Sequence, residues 1–266
     1  MTTRKQFEKE IINQSNRRNQ NGYVLNNEDN LIDGISMDLF YNDLMEGSGN
    51  ELISKFNALY SSSALAVNNF AIVKKYLKDF SFLGYSGFTK SAFERQFKTG
   101  LGGTPPNLDF VLENDEVVIA FESKYLELLD LKEVKFKESY SKNNLRYLDS
   151  FWFELIDRYI GEKLYLDVAQ LIKHAIGLIN YRLNLSSTKT QKVILVYIFW
   201  TPNNSEKFDE YEQHAKELSG FTDIVNNQTE IEFISMTYNQ FWSFYEEAPI
   251  FKEHFDRLKC RYRIDI

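Results

Sequence analysis

The sequence predicts a mixed α/β layer protein, a central sheet flanked by helices with helical additions at both ends. Three observations carry this. An apolar, helix-periodic stretch at 61–77 precedes a region whose period drops to two, at 107–113 and 116–126. A strongly apolar helix-length segment, 167–183, then leads into the continuous apolar run 192–200, the pattern of a strand buried on both faces. Helices alternating with strands in this order cover a sheet rather than form a bundle.

In chain order, residues 2–20 read as a charged, weakly amphipathic helix, followed by an Asn-rich loop to about Asp29. Leu52, Phe56 and Leu59 have helical spacing, predicting a helix at 50–59. Ser61, Ser62 and Ser63 offer N-caps for the next helix, whose apolar positions run through Ala64, Leu65, Val67, Phe70, Ile72, Val73 and Leu77. Gly84 and Gly87 end it. Residues 93–98 read as a strand and 100–106 as a loop. The two alternating runs, divided by Asn114-Asp115, then form a hairpin. After Lys132 the chain reads helical, with aromatics at Phe151, Trp152 and Phe153, up to the helix at 167–183. A polar segment, 184–191, precedes the buried strand. Beyond the turn at Thr201-Pro202-Asn203-Asn204 come a polar helix to about Leu218, a strand at 231–237 and one or two C-terminal helices. The expected organisation is a helical extension at 1–60, a core at 61–202 and an α/β elaboration at 203–266, packed as one domain overall.

Composition narrows the function classes. The apolar and charged fractions, 43% and 26%, are ordinary for a water-soluble protein. One cysteine, Cys260, excludes an internal disulfide framework and a zinc ribbon, and fits a reducing, cytoplasmic setting. The longest apolar run, 193–200, is far below the roughly 20 residues that span a bilayer. No membrane partner is expected. A net charge of −7 argues against a general polyanion binder, yet Lys132, Lys135, Lys137, Lys142 and Arg146 fall in one stretch, and Lys259, Arg261 and Arg263 in another.

The hairpin carries the most chemistry. Glu122 and Lys124 are two apart on a strand and face the same side. With Asn114-Asp115 as a two-residue turn, Asp109 lies opposite Ala120 and shares their face. Glu122 is then its diagonal neighbour, roughly 7–8 Å away, so that both carboxylates reach one cation. A four-residue turn keeps this parity and an odd insertion breaks it. The other face holds Leu108, Phe110, Leu112, Val117, Ile119 and Phe121, all apolar. Two acids and a lysine in such company are costly unless paired or metal-bound.

Asp109, twelve intervening residues, then Glu122-Ser123-Lys124 resembles the PD-(D/E)xK nuclease motif. Ser62-Ser63-Ala64-Leu65-Ala66-Val67-Asn68, Phe93-Glu94, Asn107-Leu108-Asp109, Phe121-Glu122-Ser123-Lys124, and Gln170-Leu171 with His174 are similar, in the same order, to a branch of bacterial restriction-endonuclease-like proteins. One departure is that Pro106 stands three positions before Asp109, where the motif has its proline immediately before the acid.

The resemblance implies a restriction-endonuclease-like core, of order helix-strand-strand-strand-helix-strand. It also implies Mg²⁺-dependent hydrolysis of phosphodiester bonds, with Mn²⁺ as a substitute, in double-stranded DNA and in restriction or phage defence. Nucleases of RNA, single-stranded or branched DNA, and an inactive nucleic-acid-binding member of the same fold, are the alternatives. Asp109 and Glu122 would hold the metal, with Glu94 as a further carboxylate or as an ordinary strand-surface residue. Lys124 would orient the attacking water or offset phosphate charge, a partly desolvated lysine also losing its proton more readily. Gln170, one turn before His174 on the same helix face, would position water beside the metal. His174 and Lys173 are candidates for substrate contact, and a homodimer would suit cutting of both strands of a palindrome. Glu127 faces away from Lys124 on an unbroken strand and approaches it only if the chain bends at Tyr125. The glycines at 100–103 lack the Lys-Ser/Thr ending of a phosphate-cradling loop and read as a connector.

Overall fold

The computed structural model describes residues 2–47, 51–185 and 191–266. The elements are α1 (Thr3–Gln14), α2 (Tyr41–Glu46), α3 (Ser62–Lys75), β1 (Lys90–Gln96), β2 (Asn107–Glu113), β3 (Val117–Lys124), β4 (Lys132–Glu133), α4 (Ser150–Tyr159), β5 (Lys163–Leu164), α5 (Val168–Leu183), β6 (Lys192–Phe199), α6 (Asp209–Val225), β7 (Glu232–Thr237), α7 (Tyr238–Ser243) and α8 (Pro249–Tyr262). Five strands form a mixed sheet in the order β1-β2-β3-β6-β7. The first three are an antiparallel meander, and β6 and β7 add in parallel. This mixed sheet flanked by helices, with helical additions at both ends, is a restriction-endonuclease-like α/β core.

All eight residues of β3 are buried, because it lies mid-sheet with a packed layer on each face. Phe110, Ile119 and Phe121 join Leu65 and Phe70 of α3, Phe241 of α7 and Phe255 of α8 in one apolar cluster. Val111, Val118 and Ala120 join Trp152 of α4, Ile172 and Ile176 of α5 and Phe221 of α6 in the other. The first cluster also takes in Phe7 and Val24, so it draws on all three stretches of the chain. Ser61 caps α3 as its position suggests, its side chain accepting from the Ala64 N–H. Gly177 lets α5 lie close to the chain after β1, since a Cβ there would meet the Phe97 carbonyl oxygen at 2.4 Å.

Several expectations change. The hairpin tip is Asp115-Glu116, one residue later than expected. Asn114 closes it, donating its N–H to the Val117 carbonyl (3.1 Å) while its Oδ1 accepts from the N–H groups of Glu116 (2.8 Å) and Val117 (2.9 Å). This Asx-type arrangement makes Asn114 the base of the turn rather than its centre. The register moves by two residues, and parity survives. Leu108 leaves the face of Phe110 and Leu112 and packs with the α5-side cluster. The ladder is interrupted there: Phe93 pairs with Phe110 and Arg95 with Leu108, with Glu94 at φ 51° between them.

The stretch after Lys132 is mostly irregular up to α4, apart from the two-residue pairing of β4 with β5. Of the helix expected at 50–59, one short π-helical turn, Glu51–Lys55, forms, and residue 50 lies outside the described residues. The segment 184–191 falls mostly outside them too. The polar helix α6 runs on past Leu218 to Val225, because Phe221 and Val225 continue its buried stripe. Among the described residues no helix is long and apolar enough to cross a membrane.

Candidate functional site

The observed register carries Phe110 opposite Phe121 and therefore brings Asp109 beside Glu122. Continued by one residue, that register sets the two acids opposite each other rather than on the diagonal expected, and the Glu122 charge acts on Asp109. The Asp109 Oδ2 accepts from the Ser123 N–H at 2.6 Å, which ties the carboxylate to the end of β3. On the other side of β2, Glu94 stands at the break in the ladder, between the pairs Phe93–Phe110 and Arg95–Leu108, and its charge acts on Asp109. Glu94 holds a left-handed backbone, a strained conformation for a residue with a side chain, and its Oε2 accepts from Asn107 Nδ2 at 2.6 Å.

Helix α5 supplies the opposing wall. The Asp167 side chain caps it by accepting from the Gln170 N–H (3.0 Å), and Lys132 pairs with the same carboxylate at 2.8 Å. Gln170 thereby sits in the first turn and His174 one turn later. Lys124 Nζ donates to Glu122 Oε1 (2.5 Å) and to Gln170 Oε1 (2.8 Å). His174 Nε2 lies 2.9 Å from Glu122 Oε2, and among the described residues neither buried atom has another partner. Glu122 is 1% exposed, His174 2% and Lys124 8%, so these polar groups meet away from bulk water.

The electrostatics separate the two acids. Burial pushes the Asp109 carboxyl well above the usual range, and the charges of Glu122 and Glu94 push it further. Burial acts the same way on Glu122, but Lys124 and His174 outweigh it and hold Glu122 down at about 2. Lys124 corrects an expectation. Burial lowers its affinity for the proton, yet Glu122, Glu127 and Asp109 together raise it above the ordinary lysine value, so Lys124 is a firmly charged cation.

Asp109, Glu122, Lys124, Gln170 and His174 thus converge, with Glu94 flanking Asp109. Lys173 points elsewhere: its Nζ donates to the Lys135 carbonyl at 3.4 Å and stands over the Phe136 ring at 5.2 Å. Glu127 was undervalued by strand parity. The strand stops at Lys124, the chain turns, and the Glu127 Oε2 accepts from the Tyr125 N–H at 2.8 Å, which brings its charge to bear on Lys124. No glycine or proline marks that bend. Ser123, on the opposite face from Lys124, hydrogen-bonds Tyr238 between hydroxyls at 2.7 Å. Among the described residues no three His, Cys, Asp or Glu side chains form a ready metal cage.

Neither a curated protein nor a solved structure matches the chain. A protein family does. The family described as Restriction Endonuclease associating with ARP matches residues 8–263, nearly the whole length, and the chain belongs to that family.

Proposed function

We propose that this protein is a metal-dependent endonuclease of the PD-(D/E)xK type that hydrolyses phosphodiester bonds in double-stranded DNA, in restriction or phage defence. The observation that carries the reading is the meeting of Asp109, Glu122 and Lys124 at one end of the sheet, where α5 adds Gln170. Membership of a family whose description names a restriction endonuclease associating with ARP supports the activity. The core at 61–202 would carry the chemistry.

The donor set fits a hard divalent cation. Mg²⁺ is commonly held by only one or two carboxylates, with water and phosphate completing its shell, so it does not require a cage of three acids, which the described residues do not form. Glu122 Oε2 is buried with His174 Nε2 at 2.9 Å and no aligned hydrogen bond among the described residues, and Asp109 is raised by burial and by the charges of Glu122 and Glu94. Both conditions are relieved by a cation. Asp109 and Glu122 would hold Mg²⁺ or Mn²⁺, with Glu94 as an outer carboxylate; bound there, the metal would polarise the scissile phosphate and help activate water.

The chain's own groups do the rest. Lys124, charged and fixed by Glu122 and Gln170, would offset negative charge growing on the phosphate. Gln170 has its Oε1 on Lys124 and its amide nitrogen available to orient a water or a phosphate oxygen. His174, wedged against Glu122, would restrict where that carboxylate can swing, and Lys173 would contact substrate farther out.

The test is incubation of the protein with plasmid, linear duplex, single-stranded DNA and RNA, each with and without Mg²⁺ or Mn²⁺. Duplex cleavage that needs metal and is lost in Glu122→Ala and Lys124→Ala is expected. Cleavage of RNA or single strands alone would replace the substrate, and no cleavage of anything would leave a binding role in place of the enzyme.

A further inference from the structure

The segment from Lys132 to Arg146 holds five cations, Lys132, Lys135, Lys137, Lys142 and Arg146, against two acids, Glu133 and Glu138. That is a local charge of +3 in a chain whose net charge is −7. Lys135, Lys137, Lys142 and Arg146 are exposed. Lys132 and Lys135 are paired, with Asp167 and Glu133, but Lys137, Lys142, Arg146 and the nearby Lys173 have no carboxylate partner among the described residues. A surface that only needed solubility would intersperse the signs.

The segment is also fastened to both walls of the candidate site. Lys132 bonds the Asp167 carboxylate that caps α5 and so sets Gln170. Lys173, between Gln170 and His174 on α5, donates to the Lys135 carbonyl and covers Phe136 (5.2 Å) and Tyr140 (6.0 Å). Tyr147 donates its hydroxyl to the Thr99 carbonyl at 2.6 Å, which anchors the segment to the loop that leads into β2 and Asp109. Burial lowers the proton affinity of Lys173, with Asp167 opposing that shift and Lys137 adding to it.

We propose that residues 132–146 with Lys173 form a docking surface for the phosphate backbone of duplex DNA, gripping it beside the cleavage centre. The proposal rests on the nuclease reading above and adds where the substrate lies. Duplex fits better than single strand because the aromatics here are already occupied. Phe136 and Tyr140 pack edge to face on each other at 5.4 Å and carry Lys173, so these two rings are engaged within the protein rather than presented for the base stacking that single strands use. Exposed cations without such platforms contact phosphates, which positions a duplex without reading its sequence.

The test compares the full chain with the triple variant Lys137→Gln, Lys142→Gln, Arg146→Gln, all exposed side chains outside the catalytic centre. A control triple, Lys207→Gln, Lys216→Gln, Lys252→Gln, removes equal charge elsewhere. Binding of a fluorescent 20-base-pair duplex is measured by anisotropy in EDTA over a salt series, and cleavage in Mg²⁺ is measured separately. The surface predicts a Kd raised about tenfold or more in the first triple and a log Kd–log salt slope flatter by roughly 2 to 3. It also predicts a higher KM with kcat nearly unchanged, and no such effect in the control. Equal affinity and slope in both triples, with wild-type cleavage intact, overturn the surface and spare the nuclease. Duplex binding that depends on these residues without any cleavage overturns the nuclease and supports the surface. Wild-type protein that binds no duplex overturns the surface outright, as does a preference for single strands or RNA that the triple does not weaken.

Discussion

Lys124→Met tests the desolvated ion pair on which the site is built. Methionine keeps most of the volume, so the loss is of charge rather than packing. In the wild type, Glu122 Oε1 bonds Lys124 at 2.5 Å, and the side chains of the pair are 2% and 10% exposed. Removing the cation leaves Glu122 facing His174 at 2.9 Å. Breaking one partner of a buried pair costs about 3–5 kcal/mol, and we take about 3, because His174 still lies close. For a chain of this size that lowers Tm by about 6–12 °C. Melting in EDTA, followed by circular dichroism, measures the loss. Divalent metal should then restore part of it, about 2.7 kcal/mol at a hundredfold excess over Kd, because a cation can take the place of the ammonium charge. An exposed pair would contribute about 1 kcal/mol or less. A loss below that in EDTA would refute the geometry, and surviving cleavage would refute the catalytic role.

Two further outcomes follow from the same electrostatics. Asp109→Asn should abolish cleavage and yet raise stability in EDTA at neutral pH by about 1 kcal/mol, the usual gain from relieving a functional position. Because the folded Asp109 binds its proton more tightly than the unfolded chain does, its ionisation costs stability as pH rises through the folded value. The gain should therefore vanish in acid, and a destabilised Asp109→Asn at neutral pH would contradict this. His214 and His254 act in the opposite sense. Burial lowers both from 6.5 to about 4, with His214 Nε2 at 2.9 Å from the Tyr197 hydroxyl and His254 Nε2 bonded to the Asn68 carbonyl at 2.7 Å. Their contribution is complete above about pH 6.5 and disappears as pH falls towards 4, on the order of 3 kcal/mol each. Urea titrations from pH 7 to 4.5 should show the decline, reduced by about half in His214→Gln; an identical decline in that variant would remove His214 from the account.

Much of the architecture could be read locally. Alternation at 107–113 and 116–126 reported a hairpin, the unbroken apolar run at 192–200 a strand covered on both faces, and Ser61 a helix start. Two-residue periodicity alone put Glu122 and Lys124 on a common face. These features depend on neighbours within a few positions, where backbone geometry dictates which way each side chain points.

What the linear pattern could not supply was the meeting of distant surfaces. Asn114 shifted the register through a side-chain bond, which brought Asp109 alongside Glu122 rather than diagonal to it. The left-handed turn at Glu94, the return of Glu127 towards Lys124 and the contact of Lys124 with Gln170, 46 positions later, follow from packing. Lys173 shows the same limit, since its place on α5 was evident but its partners at Lys135, Phe136 and Tyr140 were not. Residue types and spacing determined the faces and the chemistry available. Which faces came together was decided by burial of the two apolar clusters, a long-range demand satisfied only by the whole folded chain.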